Sequence, residues 1–408
     1  MLGPFRVGRG FFYALLAVNY GNGYHPAVNR QKKDSAMSFT IFQRKLIGTT
    51  VQLLTENLNV FNQASNGTML IGTGEVLKET LEKTTIGIID GIIQDRNEHA
   101  PINTTVEAKV LSRILGGSIN SAGRLGPVAI TSGQMRLIET DVNRAAAEIA
   151  TIASEAMIKR FITVGMGAGV AAINAFGQGI YTQDEHTTTK AGELYPTVED
   201  FPLAASIFGD QADLIRAWFM SGTQWAKFEA REAVKSAKLV FELGSLKIFA
   251  DGFGRSFVVS DAASSGISTA TSGDAAIHAP DTAIVGLAAN GIQLTHSGLK
   301  MAADPAKLGG ENIESWWQGE FNYSVALKGM RPTLAFRQAT EGKKTPTLKD
   351  LVKKENWEIE TGETDRKPVG NTDDPVAPTR NVRETLGIIM KLTPTVVPAP
   401  AGGGTGGE

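Results

Sequence analysis

The sequence predicts an α+β protein made of unusually long, thin elements, and three stretches carry that prediction. From Ile313 to Leu327 the residues alternate. Ile313, Trp317, Phe321, Tyr323, Val325 and Leu327 share one parity, while Glu314, Trp316, Gln318 and Glu320 share the other. A period of two is a strand with one buried and one wet face. About fifteen such residues span roughly 50 Å, against a usual strand of five or six. In "DVNRAAAEIATIASEAMIKRF", Asp141 to Phe161, apolar residues step by three and four through Ile138, Val142, Ala145, Ile149, Ile152 and Ala156, which predicts an amphipathic helix. From Met69 to Ile114, flanks rich in Thr, Ile and Val enclose the polar centre Gln94–Ala100, which reads as two long strands joined by an exposed tip.

Taken in order, Phe11–Val18 is too short an apolar run to span a bilayer, and no clean cleavage site follows it. A well-patterned sequence starts at Met37, so residues 1–36 are read as an upstream extension outside the fold. Ile41–Val60 suits a helical or extended arm, and Glu75–Lys83 carries enough charge to be locally helical. "GMGAGVAA" (Gly165–Ala172) follows the predicted helix and reads as a small-residue face for close packing, with Gly177 and Gly179 ending it. Thr197 and Asp200 form a capping-box pattern opening a short helix that Gly209 stops. Leu214–Met220 is a buried strand, Ser221 caps the helix "TQWAKFEAREAV", and "SLKIFA" and "RSFVVSD" are strands joined by the turn "DGFG". A small-residue loop, "DAASSGISTATSGDAAIHAP", precedes the strands "TAIVGLAA" and "GIQLTHS"; Gly319 is the place for a bulge in the long strand that follows. After Phe336 come seven of the sixteen prolines, so this end reads as a flexible tail with two islands, "TLKDLVKKENW" and "VRETLGIIMKL", the second able to dock on the body.

No chemistry stands out. With no cysteine there is no disulfide, thiolate metal site or Cys nucleophile. A net charge of −2 supplies no global field toward nucleic acid or anionic lipid. His25, His99, His186, His278 and His296 are scattered singly, without zinc-ligand spacing, and read as isolated surface or loop residues. Gly165–Ala172 follows a helix where a dinucleotide loop must follow a strand, and Gly72 and Gly74 lack the Gly-Lys-Ser/Thr ending that holds phosphate. Lys343, Lys344, Lys349, Lys353 and Lys354 cluster near Trp357; interleaved acids favour a solvated helix face over a nucleic-acid contact. The catalytic, cofactor-binding and metal residues predicted are therefore none, and a structural role is favoured over an enzyme.

Four stretches, in order, resemble the major capsid proteins of tailed bacteriophages, which share the Hong Kong 97 fold. They are Ile89–Ile130 with the step Arg124, Gly126 and Pro127; Glu139–Phe161; Phe201–Ala230 with Asp210, Met220 and Ser221, followed by "GRSFVVSDAAS"; and "GGENIESWWQGEFNYSVALKGMRP". The resemblance implies an N-terminal arm (37–69), an extended E-loop hairpin (70–120), a peripheral domain with a long spine helix (121–200), an axial domain (201–299), peripheral closing strands (300–345) and a flexible tail (346–408). It also implies pentamers and hexamers in an icosahedral shell around double-stranded DNA, with portal and scaffold or decoration proteins as partners, no cofactor and no membrane. The virion would be assembled in the bacterial cytoplasm. An encapsulin-like nanocompartment and a nucleotide-dependent enzyme are the alternatives. On this reading the tip Asp95–His99 serves a neighbouring subunit. Trp317 should be buried, and Trp316 partly exposed.

Overall fold

The computed structural model describes residues 26–76, 80–86, 113–131, 142–182, 196–231, 237–252, 254–261, 283–307, 314–361 and 381–392. The tip Asp95–His99 and the small-residue loop 262–282 lie outside them.

The chain enters as helix α1 (Pro26–Ala64), so the expected boundary at 36/37 is not a break in secondary structure. Its buried residues Phe42, Leu46, Leu54, Leu58 and Phe61 recur by about one turn and form one stripe. Strand β1 (Met69–Thr73) follows, then β2 (Thr80–Ile86) and the 19-residue β3 (Arg113–Thr131). The expected hairpin is therefore only partly right: β2 pairs antiparallel with β3, but β1 pairs elsewhere. The local helix expected over Glu75–Lys83 gives way to strand from Thr80, where β2 lies beside β3.

Helix α2 (Val142–Phe176) is longer than its predicted amphipathic part, because the glycine-rich stretch continues it. Gly177, at φ +77°, ends it by donating to the carbonyl of Ile173. The predicted stripe is one position out. Ala146, Ala150, Ala153, Met157, Ile158 and Phe161 are buried, whereas Ala156 is exposed and Ile152 is 67% exposed. The reason is the partner: Ala146 and Ala150 let α1 approach closely, and Phe42 and Leu46 of α1 supply the bulk. Further along, Gly165 faces Met69 and Ile292, and Gly169 faces Ile292 and Leu386, so closely that an added Cβ would lie 3.0–3.2 Å from their side chains. The close packing read from "GMGAGVAA" is what the structure has. By length and hydropathy this helix could cross a membrane, but 78% of its apolar window is buried within the chain.

Strand β4 (Ile180–Thr182) precedes α3 (Asp200–Ala205), where the Thr197 amide and hydroxyl both donate to Asp200 Oδ2 (2.7 and 2.9 Å). A 3-10 turn kinked at Gly209 (φ +56°) leads into β5 (Ile215–Met220). Helix α4 (Gly222–Arg231) is capped as expected, its Gln224 amide donating to Ser221 Oγ (3.1 Å). Then come β6 (Lys238–Leu243), β7 (Leu246–Ala250), β8 (Ser256–Val259), β9 (Ala283–Ala288), β10 (Ile292–His296), β11 (Lys300–Lys307) and β12 (Glu314–Leu327). The chain closes with β13 (Met330–Pro332), α5 (Leu334–Thr340), α6 (Leu348–Leu351), β14 (Trp357–Ile359) and β15 (Gly387–Lys391).

The described strands form two sheets. One, of eight strands, contains β1, β10, β12, β13 and β14 in that order, with β11 and β3 also on β12 and β2 on β3. The other runs β4-β15-β9-β5-β8-β7-β6. Strand β12 is the backbone of the first sheet, pairing with β3 on one edge and with β10 and β11 on the other. Its inward parity is as expected: Trp317, Phe321, Tyr323, Val325 and Leu327 are buried, each side chain contributing roughly 1.5–3 kcal/mol. Phe161 of α2 meets Phe321 and Tyr323 edge-on at 5.7 and 6.2 Å. Opposite Phe321 stands Gly123, whose missing side chain leaves room for the ring. The expected irregularity at Gly319 is present, with the extra residue on β3: Gly126 and Pro127 together face Gln318.

Two expected boundaries move. The hand-over between sheets falls at the turn around Asn290, between β9 and β10, and not at 299/300. The flexible tail expected from 346 is corrected for residues 346–361 and 381–392. Leu351 and Trp357 are buried, and β15 lies inside the second sheet between β9 and β4. A run of apolar residues, Leu386, Ile388, Ile389 and Met390, gains more from burial there than its proline-rich neighbourhood suggests.

Candidate functional site

Strand β6 is an edge, and it is the one whose chemistry looks outward. Lys238 pairs with Ala250, Leu239 with Phe249 and Phe241 with Ile248, so Val240 is an extra residue, a bulge. The bulge breaks the alternation and leaves Leu239 and Val240 side by side, 49% and 51% exposed, while Phe241 turns in against Phe61 of α1 (6.5 Å, edge-on). The turn between β6 and β7 lies against α2. Gly244, at φ +59°, lies directly under the Glu155 carboxylate, which also pairs with Lys159 (2.6 Å). An apolar pair thus stands exposed at a bulged edge, where a bulge discourages strand addition and leaves side-chain contact as the available mode.

A second outward feature is an open cavity of about 680 Å³ beside α3 and β5. Phe201, Pro202, Ile215 and Trp218 form its apolar lining, and Asp213, Arg216 and Arg255 its charged groups. Arg255 is fixed by Asp251 (2.7 Å) and lies over the rings of Phe201 and Phe257 (5.7 and 5.9 Å). Val198 and Leu203, 38% and 49% exposed, extend apolar surface nearby.

The residues that carried the sequence resemblance are spread over both sheets and converge on no centre. Arg124 is exposed on β3 opposite Glu320, Gly126 and Pro127 make the bulge, Asp210 is exposed on the 3-10 turn, and Met220 and Ser221 are buried at the end of β5. Among the described residues no three His, Asp or Glu stand together as a metal site. Sequence reasoning missed β6 altogether, since Val240 interrupts the period that would have marked it.

His296 corrects the reading of the histidines as surface or loop residues. It is 4% exposed on β10, stacked on Phe161 (5.2 Å), with Nδ1 donating to the Ser297 carbonyl (3.1 Å) and Nε2 placed to accept from the Thr73 hydroxyl (3.3 Å). Burial lowers its pKa below the usual 6.5, and the Ser297 carbonyl offsets part of that. The unfolded chain therefore binds the proton more readily. The stabilising effect of the neutral ring is complete above about pH 6.5 and is lost as pH falls through the lower folded-state value. Thermal melts between neutral and mildly acid pH should show this loss in the wild type and a flatter profile in His296→Gln.

A model of the Gp13-like family, described as major capsid protein 13-like, matches residues 38–367. The chain belongs to this family of major capsid proteins. As a major capsid protein it is a structural component of a bacteriophage capsid, and its work is self-assembly into the shell. No curated protein matches the sequence. Among solved structures, the capsid of Cyanophage P-SCSP1u is 14% identical over 64% of this chain and 84% of its own, with a TM-score of 0.35. The Cyanophage Pam1 capsid asymmetric unit is 12% identical over 64% and 83% (TM-score 0.39). A chain from Mycobacterium phage Cain is 11% identical over 69% and 88% (TM-score 0.42). In this capsid protein Leu239 and Val240 form an adjacent exposed apolar pair on the β6 edge.

Proposed function

We propose that the subunit forms pentamers and hexamers of an icosahedral shell enclosing double-stranded DNA, with the Hong Kong 97-type division into arm, E-loop, peripheral and axial parts. The observation that carries this reading is the plate made by β12, β3 and α2, of 14, 19 and 35 residues. Elements of that length let one subunit reach several neighbours, which a closed shell requires. Portal and scaffold or decoration proteins would join it in the host cytoplasm, and its role is geometric, without catalysis. Expressed alone or with its neighbouring genes, the chain should sediment as capsomers or shells and show closed particles by negative-stain microscopy. A persistent monomer in all conditions would refute the reading.

The β6 edge supplies a sharper expectation. Leu239→Glu with Val240→Glu should change the subunit's melting free energy by no more than about 0.5 kcal/mol per site, because both side chains are surface groups. Particle yield should collapse. Particles at wild-type yield would show that this edge stays outside the contacts.

A further inference from the structure

We propose that the lysine-rich corner between α5 and β14 binds the phosphodiester backbone of double-stranded DNA without regard to sequence. The proposal rests on the reading that the shell encloses such DNA. The solvated-face reading of these lysines rests on interleaved acids, but residues 343–354 hold five lysines and only one aspartate, in a chain whose net charge is −2. All five lysines are exposed.

The corner is rigid. The Thr347 amide and hydroxyl both donate to Asp350 Oδ2 (3.0 and 2.8 Å), closing the cap of α6. Asn356 Nδ2 donates to the Asp350 carbonyl (2.7 Å), and the Lys343 and Lys344 amides return to the Thr340 carbonyl (both 3.1 Å). Leu351 and Trp357 anchor the segment in the core against α2. The lysines thus project from a fixed base and lose only their own side-chain freedom on binding.

Their charge is largely uncommitted. Lys344 pairs with Asp350 (3.1 Å) and Lys343 Nζ donates to the Gln338 carbonyl (3.0 Å). Among the described residues Lys349, Lys353 and Lys354 have no ion pair; Glu341 and Glu355 are the exposed acids of the corner. The Asp350 carboxylate is held by Thr347, which also keeps its pKa below the usual range.

The partner's form follows from the aromatics. Single strands are gripped by stacking bases on exposed rings. Here Trp357 is 3% exposed and donates its indole N–H to the Leu351 carbonyl (2.8 Å), and Phe336 is 6% exposed. What remains is point charge without a stacking platform, which suits a duplex backbone.

The test compares the wild type with Lys349→Gln/Lys353→Gln/Lys354→Gln, and with Lys300→Gln, an exposed lysine of β11, as a control, by titrating the purified proteins with a short arbitrary duplex from about 50 to 200 mM salt. The triple variant should bind more weakly on every duplex sequence. Its slope of log affinity against log salt should be shallower by about 2.7, at roughly 0.9 per phosphate contact. The control should match the wild type. Equal affinities and slopes for wild type and triple variant, or a wild type that does not bind, would overturn the proposal. So would normal DNA binding with failed particle formation, which would assign the lysines to an acidic surface of a second subunit. Negative-stain images of the same samples report separately on the shell reading.

Discussion

Replacing Trp317 with alanine is expected to cost the subunit about 3–5 kcal/mol, the range for large aromatic truncations in cores. The indole is 5% exposed and shares a cluster with Phe42 and Leu46 of α1, Ile130 of β3 and Ala146 and Ala150 of α2, so it joins three long elements at one point. Small alanines cannot close over the space it would leave. Among the described residues its Nε1–H has no hydrogen-bond partner, so Trp317→Phe should recover much of the loss, sparing an unmet buried donor. Trp316, next in sequence, faces the other way. It is half-buried, and its Nε1–H donates to Glu314 Oε2 (2.9 Å). Trp316→Ala should cost about 1 kcal/mol or less in subunit stability. Denaturant melts of the three variants decide the matter, and a larger loss from Trp316 would reverse the two faces of β12.

Gly387→Ala is expected to cost about 3 kcal/mol or more, beyond ordinary overpacking. A Cβ at that position would lie 2.1 Å from the Gly286 carbonyl oxygen and 3.0 Å from Leu287 Cα. Both are backbone atoms of β9, so no side chain can swing aside; the strands must part. Strand β15 carries the fully buried Ile388 and Met390 and pairs with both β9 and β4. Ending the chain at residue 380 should accordingly yield insoluble protein. Gly48→Ala is the contrasting control: in α1, with nothing within 4 Å of an added Cβ, it should gain up to about 1 kcal/mol. Soluble Gly387→Ala with a wild-type melt would show that β15 is not held as described.

What could be read from the sequence was whatever a local period encodes. The faces of β12, the cap at Ser221, the Thr197–Asp200 box and the close packing of Gly165 and Gly169 each depend on residues a few positions apart. What could not be read depends on distant partners. The buried face of α2 slipped by one position because α1 selects alanines for its seam, leaving Ile152 outside. Strand β1 left the hairpin because β10, more than two hundred positions away, takes its edge. Strand β6 was hidden by its own bulge. The apolar run "LGIIMKL" reads as an island able to dock on the body, but its place between β9 and β4 depends on strands that lie far away in sequence. His296 carried no warning, since burial of a lone histidine is set by what stacks on it.

The position of β15 also imposes a timetable. Strand β9 is complete once Ala288 has been made, but its second neighbour lies about a hundred residues later. At about 5–20 residues per second of translation, the apolar edge of Ile284, Val285 and Leu287 waits on the order of 5–20 seconds at the ribosome for its partner. During that interval it is a template for any other strand that passes. The second sheet is complete only once β15 has joined β9, so a chain still lacking that strand is not yet a finished subunit. Slow translation, or a chaperone that shields that edge, would set the yield of competent subunits before any shell contact forms.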